Sequence, residues 1–264
     1  MRFLIVGDVV GSVGVKMLQK HVKDIKEKEN IDFCIINGEN SADGKGIQVK
    51  EMKEIYKAGA DVITMGNHIY YRKEFYPYYE SEKNLLIPAN ITNLKGHGSC
   101  IVEKNNTKIG VINLIGLVGM GDITVRHSQD PFKVAAEEVE KLKKSGCKYI
   151  FIDFHAEATA EKRALAYYLQ NDVTCVFGTH THVQTADEEI FETGLSFISD
   201  VGMTGPYDSV IGLRKEIAVA RFVTGEKIKY RCSDTKGQFN AIVVETDDQN
   251  AKCVEISRIN FKEK

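Results

Sequence analysis

The sequence has almost no net charge, no closely spaced pair of cysteines and no long apolar run, and each absence argues against a class of protein. Its 35 lysines and arginines are balanced by 37 aspartates and glutamates, which leaves a net charge of −2. Without a positive field the chain is poorly suited to neutralising a phosphate backbone, so a dedicated duplex-DNA-binding protein is not expected. The six cysteines include no CxxC pair. Neither a zinc finger nor a disulfide scaffold is indicated.

The apolar runs are too short for a membrane span, which needs roughly 18 unbroken apolar residues. The longest uncharged candidate, residues 109–121, is interrupted by Asn113 and by glycines. The apolar run before Asp8 is also too short for the core of a signal peptide. We therefore expect a cytoplasmic protein with no membrane partner.

What is present is a globular composition, with 43% hydrophobic and 27% charged residues over 264 positions. No linker or low-complexity segment divides the chain, so we expect one domain over residues 1–264.

Short apolar runs alternate with helical patterns over the first two hundred residues, which is typical of βαβ units and a largely parallel sheet. The predicted strands cover residues 3–6, 33–36, 61–64, 109–114, 149–154, 173–177 and 196–199. The predicted helices lie at residues 15–25, 49–59, 130–146 and 160–169. The pattern then changes, and antiparallel strands are predicted at residues 228–232, 240–246 and 253–259.

Polar side chains follow five of the predicted strands, at the point where each strand ends. They are Asp8, then Glu39 and Asn40, then Asn67 and His68, then His155, and finally His180 and His182. The carboxyl ends of parallel strands lie along one edge of a sheet, so we expect these side chains to meet on one rim. Oxygen and imidazole ligands without thiolates suit Mn, Fe or Zn, and their number exceeds what one ion needs. Two ions about 3.5 to 4 Å apart generate a hydroxide and hold a phosphoryl group, so the sequence predicts phosphoester hydrolysis.

The order of these motifs resembles that of the calcineurin-like metallophosphoesterases. More narrowly, the sequence resembles the bacterial YmdB-type cyclic-nucleotide phosphodiesterases in the segments 7–11, 36–40, 64–68, 151–159, 178–186 and 200–206. The resemblance spans almost the whole chain and is weakest at about residues 95–127. It implies an αββα sandwich with mixed sheets flanked by helices, and a dinuclear enzyme that hydrolyses 2′,3′- or 3′,5′-cyclic nucleotides.

The resemblance also implies a role for each site residue. It assigns one ion to Asp8, Glu39, Asn40 and His182, and the other to Glu39, Asn67, His155 and His180. It makes His68 the general acid that protonates the leaving alkoxide. The broader superfamily begins with Asp-x-His, whereas Val10 stands two residues after Asp8 here, and the YmdB-type branch fills the vacant position with Asn40.

Several alternatives remain open at the level of sequence. A phosphomonoesterase or a protein phosphatase could use the same site, and a nucleotide- or RNA-binding regulator could keep it without turnover. The loop at residues 43–46 could bind a substrate phosphate or form a plain turn. Asp153 and Asp200 could orient the imidazoles. The aromatic patch at residues 70–79 could stack on a base, pack on the core or form a subunit contact in a homo-oligomer.

Overall fold

The computed structural model describes residues 1–263 and contains two β-sheets with helices on their outer faces. The strands are β1 (Arg2–Val6), β2 (Asp8–Val9), β3 (Phe33–Asn37), β4 (Val62–Thr64), β5 (Leu85–Leu86), β6 (Ser99–Lys104), β7 (Thr107–Ile115), β8 (Tyr149–His155), β9 (Cys175–Thr179), β10 (Glu189–Ile190), β11 (Ser196–Ile198), β12 (Met203–Pro206), β13 (Gly237–Thr246) and β14 (Cys253–Lys262). The helices are α1 (Gly11–Lys28), α2 (Val49–Ala58), α3 (Tyr76–Ser81), α4 (Asp122–Arg126), α5 (Pro131–Lys144), α6 (Thr159–Tyr168) and α7 (Lys215–Thr224).

Within residues 1–263, the first sheet has eight strands and the second has six. The strand order is β2-β12-β13-β1-β3-β4-β5 in the first sheet, where β14 pairs with β13, and β10-β11-β9-β8-β7-β6 in the second. In the first sheet β1, β3, β4 and β5 are parallel, while β13 is antiparallel to β1. In the second sheet β7, β8, β9 and β11 are parallel, while β6 and β10 are antiparallel to their neighbours. The predicted largely parallel sheet is therefore wrong, because the apolar runs belong to two mixed sheets.

The two sheets pack face to face. Because successive side chains of a strand point to opposite faces, each central strand contributes to the core between the sheets and to a core under the helices. In β1, Phe3 and Ile5 are buried between the sheets, where Phe3 contacts Phe151 of β8. Leu4 and Val6 lie on the other face, in a core built with α1 and α2. Helices α5 and α6 cover the outer face of the second sheet. This arrangement confirms the αββα sandwich that the resemblance implies.

The four helices predicted from periodicity are confirmed as α1, α2, α5 and α6. Helix α5 begins as its sequence indicates, since the Asp130 side chain accepts a hydrogen bond from the Phe132 N–H and Pro131 occupies the first helical position. Within residues 1–263, none of the helices combines the length and apolarity that crossing a bilayer requires.

The predicted strand at residues 228–232 is wrong. This segment is irregular, and Cys232 forms only an isolated bridge with Leu213. Its alternating apolar side chains are half-buried for a different reason, since Tyr230 packs over Gly44 and Cys232 packs over Gly11. The alternation therefore reflects contacts with the loop after β3 and with the start of α1, which sequence periodicity cannot distinguish from strand pairing.

Candidate metal centre

Loops at the carboxyl ends of five strands bring the predicted site residues together. The first sheet supplies Asp8 after β1, Glu39 and Asn40 after β3, and Asn67 and His68 after β4. The second sheet supplies His155 at the end of β8, and His180 and His182 after β9. The expected rim therefore exists, but two sheets form it and not one. All eight residues predicted from the sequence lie at it.

One group of contacts is centred on the Nε2 atom of His155. This atom lies 3.1 Å from Glu39 Oε1, 2.9 Å from Asn67 Oδ1 and 3.1 Å from His180 Nδ1. Ligand atoms bound about 2.1 Å from one ion are themselves separated by roughly 3.0 to 3.4 Å in octahedral or tetrahedral geometry. Glu39, His155 and His180 each offer a ligand atom within 4.8 Å of the others, and they could hold a metal ion.

The second group of contacts is centred on Asn40. Its Nδ2 atom lies 3.4 Å from Asp8 Oδ1, 3.1 Å from Glu39 Oε1 and 3.1 Å from His182 Nε2. Asn40 thus presents its amide nitrogen to these side chains, and a rotation about Cβ–Cγ would present the oxygen to an ion instead. Glu39 is the carboxylate shared by the two groups.

His68 lies beside these groups and lines a cavity. Its Nδ1 atom is 2.6 Å from Asn40 Oδ1 and 3.3 Å from Glu39 Oε1. A protonated His68 would donate from Nδ1 to these oxygens, which leaves the Nε2–H group free for a substrate. Sequence reasoning did not identify a carboxylate beside this imidazole, and the structure places Glu39 there.

The backbone of the site is tightly constrained. A Cβ atom at Gly66 would overlap both the Glu39 carboxylate and the His155 ring, so only glycine allows this approach. His180 and His182 have φ angles of +103° and +66°. Such conformations cost about 1–3 kcal/mol per residue and concentrate at functional sites. The His180 N–H donates to Asp8 Oδ2 at 3.1 Å, which helps to hold this loop.

Burial and the neighbouring imidazoles have opposite effects on the two buried carboxyl groups. Burial raises the pKa of Asp8, although His182 and His155 oppose this effect. Burial acts in the same direction on Glu39, but His155 and His68 hold the pKa of Glu39 well below its usual range. Burial lowers the pKa of His155, but the charge and hydrogen bond of Glu39, together with the charges of Asp8 and Asp153, raise it to about 9. A proton on His155 thus balances the charge of Glu39, and a bound cation would displace it.

Asp153 reaches His155 through Thr179 and not directly. The Thr179 hydroxyl donates to Asp153 Oδ1 at 2.7 Å and lies 2.8 Å from His155 Nδ1. A hydroxyl that donates to Asp153 accepts from Nδ1–H, so this chain places the proton on Nδ1 and leaves Nε2 free for an ion. Sequence reasoning missed Thr179, because a buried threonine at a strand end is ordinary.

Asp200 does not orient an imidazole by direct contact, which the sequence had left open. It holds the loop between His180 and His182 instead. Its carboxylate accepts the backbone N–H of Thr181 at 3.0 Å and that of Gly202 at 2.8 Å. The fully buried Lys162 of α6 donates to it at 2.9 Å. A lysine on a helix is expected to be exposed, so the sequence does not indicate that Lys162 is buried.

A cavity of about 620 Å³ opens beside the site, within the size range of small-molecule sites. The residues that line it include Glu39, Asn40, His68, Ile211 and Phe222. The loop at residues 43–46 is a turn that contributes Gly44 and Lys45 to this cavity. In the aromatic patch, Phe75 and Tyr79 are buried in the core, whereas Tyr71 is exposed beside His68.

The sequence matches a known protein family. The pattern of the family described as "YmdB-like protein" matches residues 4–259. The chain belongs to this family. The YmdB-like chain is 43% identical over 260 residues to a protein of Bacillus subtilis strain 168 described as "2′,3′-cyclic-nucleotide 2′-phosphodiesterase", and the match covers 98% of this chain and 96% of that protein.

Solved structures extend this similarity. A crystal structure described as a novel phosphatase of Mycoplasma pneumoniae is 34% identical to this YmdB-like chain, with a TM-score of 0.92 over 99% of this chain and 93% of the other. A 5′-nucleotidase precursor of Thermus thermophilus is 12% identical, with a TM-score of 0.60 over 99% of this chain and 54% of the other. The second similarity shows that the fold is shared. The resemblance inferred from the motifs is thus confirmed.

Proposed function

We propose that the protein is a dinuclear metal-dependent phosphodiesterase that hydrolyses 2′,3′-cyclic nucleotides, with 3′,5′-cyclic nucleotides as a further substrate class. The observation that carries this proposal is the position of Glu39. Its Oε1 atom lies 3.1 Å from His155 Nε2 and 3.1 Å from Asn40 Nδ2, so one carboxylate contacts both groups of ligands. The name of the B. subtilis relative supports the 2′,3′-cyclic substrate.

The donor set fits two ions. We assign one ion to Asp8, Glu39, Asn40 and His182, and the other to Glu39, Asn67, His155 and His180. Oxygen and imidazole donors without thiolate favour Mn or Fe, with Zn as the alternative. When bound, a pair of such ions activates water and offsets the charge of a phosphoryl group.

The residues of the chain supply the remaining steps. Glu39 orients the His68 ring, since its Oε1 atom lies 3.3 Å from His68 Nδ1. His68 then gives its Nε2 proton to the ribose oxygen as the bond between phosphorus and that oxygen breaks.

A substrate panel tests the proposal. Turnover of 2′,3′-cyclic AMP and 3′,5′-cyclic AMP is measured with Mn²⁺ or Fe²⁺, beside p-nitrophenyl phosphate and its bis ester. We expect both cyclic nucleotides to be hydrolysed and the bis ester to be preferred to the monoester. Preference for the monoester would indicate a phosphomonoesterase, and no turnover by metal-loaded protein would indicate a regulator.

Metal binding should stabilise the folded protein. An ion present at about 100 times its dissociation constant adds about 2.7 kcal/mol, which for a chain of this size raises Tm by roughly 5 to 10 °C. The measurement is thermal unfolding after treatment with a chelator and after addition of Mn²⁺. His155→Ala should show a smaller rise, because it lacks the central donor of one group. Equal Tm values for the wild type with and without Mn²⁺ would contradict the metal assignment.

Replacing Thr179 by valine should weaken metal binding by about 10- to 100-fold, the usual cost of losing a group that orients a ligand. The near-isosteric change removes the hydroxyl that links Asp153 to His155 Nδ1. Titration of apo-protein with Mn²⁺ measures the change. Thr174→Val is the matched control, because Thr174 is also buried, just before β9, and its hydroxyl accepts from the Ile150 N–H away from the site. Similar affinities in the two variants would show that Thr179 does not orient His155.

A further inference from the structure

A second cavity of about 650 Å³ adjoins the first and shares Lys45 and Tyr230 with it. Five cationic side chains line this second cavity: Lys45, Arg72, Arg214, Lys229 and Arg231. We call it the basic groove. Neither His68 nor any of the proposed metal ligands lines it, and the proposed reaction of a single nucleotide makes no use of it.

The charge of the basic groove is opposite to that of the whole chain. Its five cations face two lining carboxylates, Asp43 and Asp234, whereas the net charge of the protein is −2. Arg214 pairs with Asp234 at 2.9 Å. Lys229 and Arg231 are exposed, and neither forms a salt bridge within residues 1–263. Two cations are therefore available for an external anion without breaking an internal ion pair.

Two aromatic rings mark the junction of the cavities. The Lys45 Nζ atom lies 4.6 Å from the ring centroid of Tyr71 and 5.4 Å from that of Tyr230. Tyr71 is 55% exposed, and its ring lies 5.1 Å from that of His68. Exposed aromatic rings beside cations are the usual means of binding single-stranded nucleic acid, because bases stack on the rings while cations contact the backbone.

The chemistry of the substrate suggests what could bind across this junction. A 2′,3′-cyclic phosphate requires a ribose 2′-hydroxyl and, on a strand, occurs only at the 3′ end. A strand bound by that end leaves the catalytic cavity in one direction, and its preceding phosphates need cations along the exit. A mononucleotide has no such phosphates, so it gains nothing from Lys229 or Arg231.

We propose that the substrates include RNA strands that end in a 2′,3′-cyclic phosphate, with the terminal nucleotide in the catalytic cavity and the preceding phosphates in the basic groove. This inference rests on the proposed function. In the reaction, the oxygen of water bonds to phosphorus and the bond from phosphorus to O2′ breaks. The O2′ atom takes a proton, and the products are a 3′-phosphate end and a free 2′-hydroxyl.

The test compares two substrates in two variants of the full chain loaded with Mn²⁺. The substrates are 2′,3′-cyclic AMP and a tetra-adenylate ending in a 2′,3′-cyclic phosphate. The groove variant is Lys229→Ala with Arg231→Ala, and the matched control is Lys141→Ala with Lys144→Ala on the exposed face of α5. All four side chains are exposed, so none of these changes disturbs the core.

We expect the groove variant to raise KM for the tetra-adenylate roughly tenfold and to lower the slope of log KM against log salt by about 1.4, as two lost phosphate contacts require on a single strand. The KM for 2′,3′-cyclic AMP should not change, and the control variant should resemble the wild type with both substrates. Unchanged KM for the tetra-adenylate, or an equal rise for both substrates, would overturn the inference while leaving the proposed function intact.

A second measurement is independent of turnover. Fluorescence anisotropy reports binding of a labelled tetra-adenylate with a 3′-phosphate, which resembles the product. If neither cyclic substrate is hydrolysed, the proposed function fails. Weaker binding of the labelled strand by the groove variant than by the wild type would then still show that the groove binds RNA, and equal binding would show that it does not. Groove-dependent binding to phosphatidylglycerol vesicles without binding to the strand would overturn the inference in favour of a membrane surface.

Discussion

Replacing Glu39 by glutamine should lower kcat/KM for 2′,3′-cyclic AMP by at least about 10³-fold and reduce the metal content. The side chain is only 1% exposed and contacts both groups of ligands. Glutamine has the same size but no charge, so it cannot offset two cations, and a loss of about 4 kcal/mol corresponds to 10³-fold. Steady-state kinetics and elemental analysis of the purified variant measure the two effects.

Glu157→Gln is the matched control for this prediction. Glu157 Oε2 lies 3.2 Å from His180 Nε2, but the side chain is 55% exposed and belongs to neither group of ligands. Water screens such a charge, so we expect less than about a tenfold loss. Full activity in Glu39→Gln, or equal losses in both variants, would show that Glu39 is not the bridging ligand.

His68→Ala should lower kcat for 2′,3′-cyclic AMP by about 10²- to 10⁴-fold while leaving the metal content unchanged. His68 contacts Asn40 Oδ1 and Glu39 Oε1 but is not needed to complete either group of ligands. The loss should be much smaller, below about tenfold, with bis-p-nitrophenyl phosphate, because nitrophenolate leaves without a proton. The measurement is kcat with each substrate, beside elemental analysis.

His97→Ala controls for the removal of an imidazole, since its Nε2 atom contacts the backbone oxygen of Glu80 far from the site. Equal losses for both leaving groups in His68→Ala would argue against a general acid. If the wild type shows no turnover and His68→Ala binds metal and nucleotide as the wild type does, the regulatory alternative is supported.

The candidate site could be predicted from the sequence because its parts are local. Each ligand lies at or just after the end of a buried apolar run, such as residues 149–154 before His155, and the topology of parallel strands places such ends together. The spacing of Val15, Leu18 and Val22 likewise identified the buried face of α1.

What the sequence did not reveal depends on contacts between distant segments. Apolar runs do not encode which strand pairs with which, so their pattern predicted a single largely parallel sheet over the first two hundred residues, where the strands belong to two mixed sheets. Helix α7 was missed because Val219, Phe222 and Val223 are exposed, from 57 to 87%, and give no amphipathic pattern. Thr179 and Lys162 carry no local signal either, since their positions matter only through Asp153 and Asp200.

The place of β13 in the first sheet has a consequence for biosynthesis. This strand, Gly237–Thr246, is inserted between β12 and β1, the strand that leads to Asp8. A nascent chain that has left the ribosome only as far as residue 236 already carries every proposed ligand, yet one edge of β1 is still unpaired. Such distant pairing is slow to form, so β1, which positions Asp8, gains its second neighbour only after residues 237–246 have been synthesised.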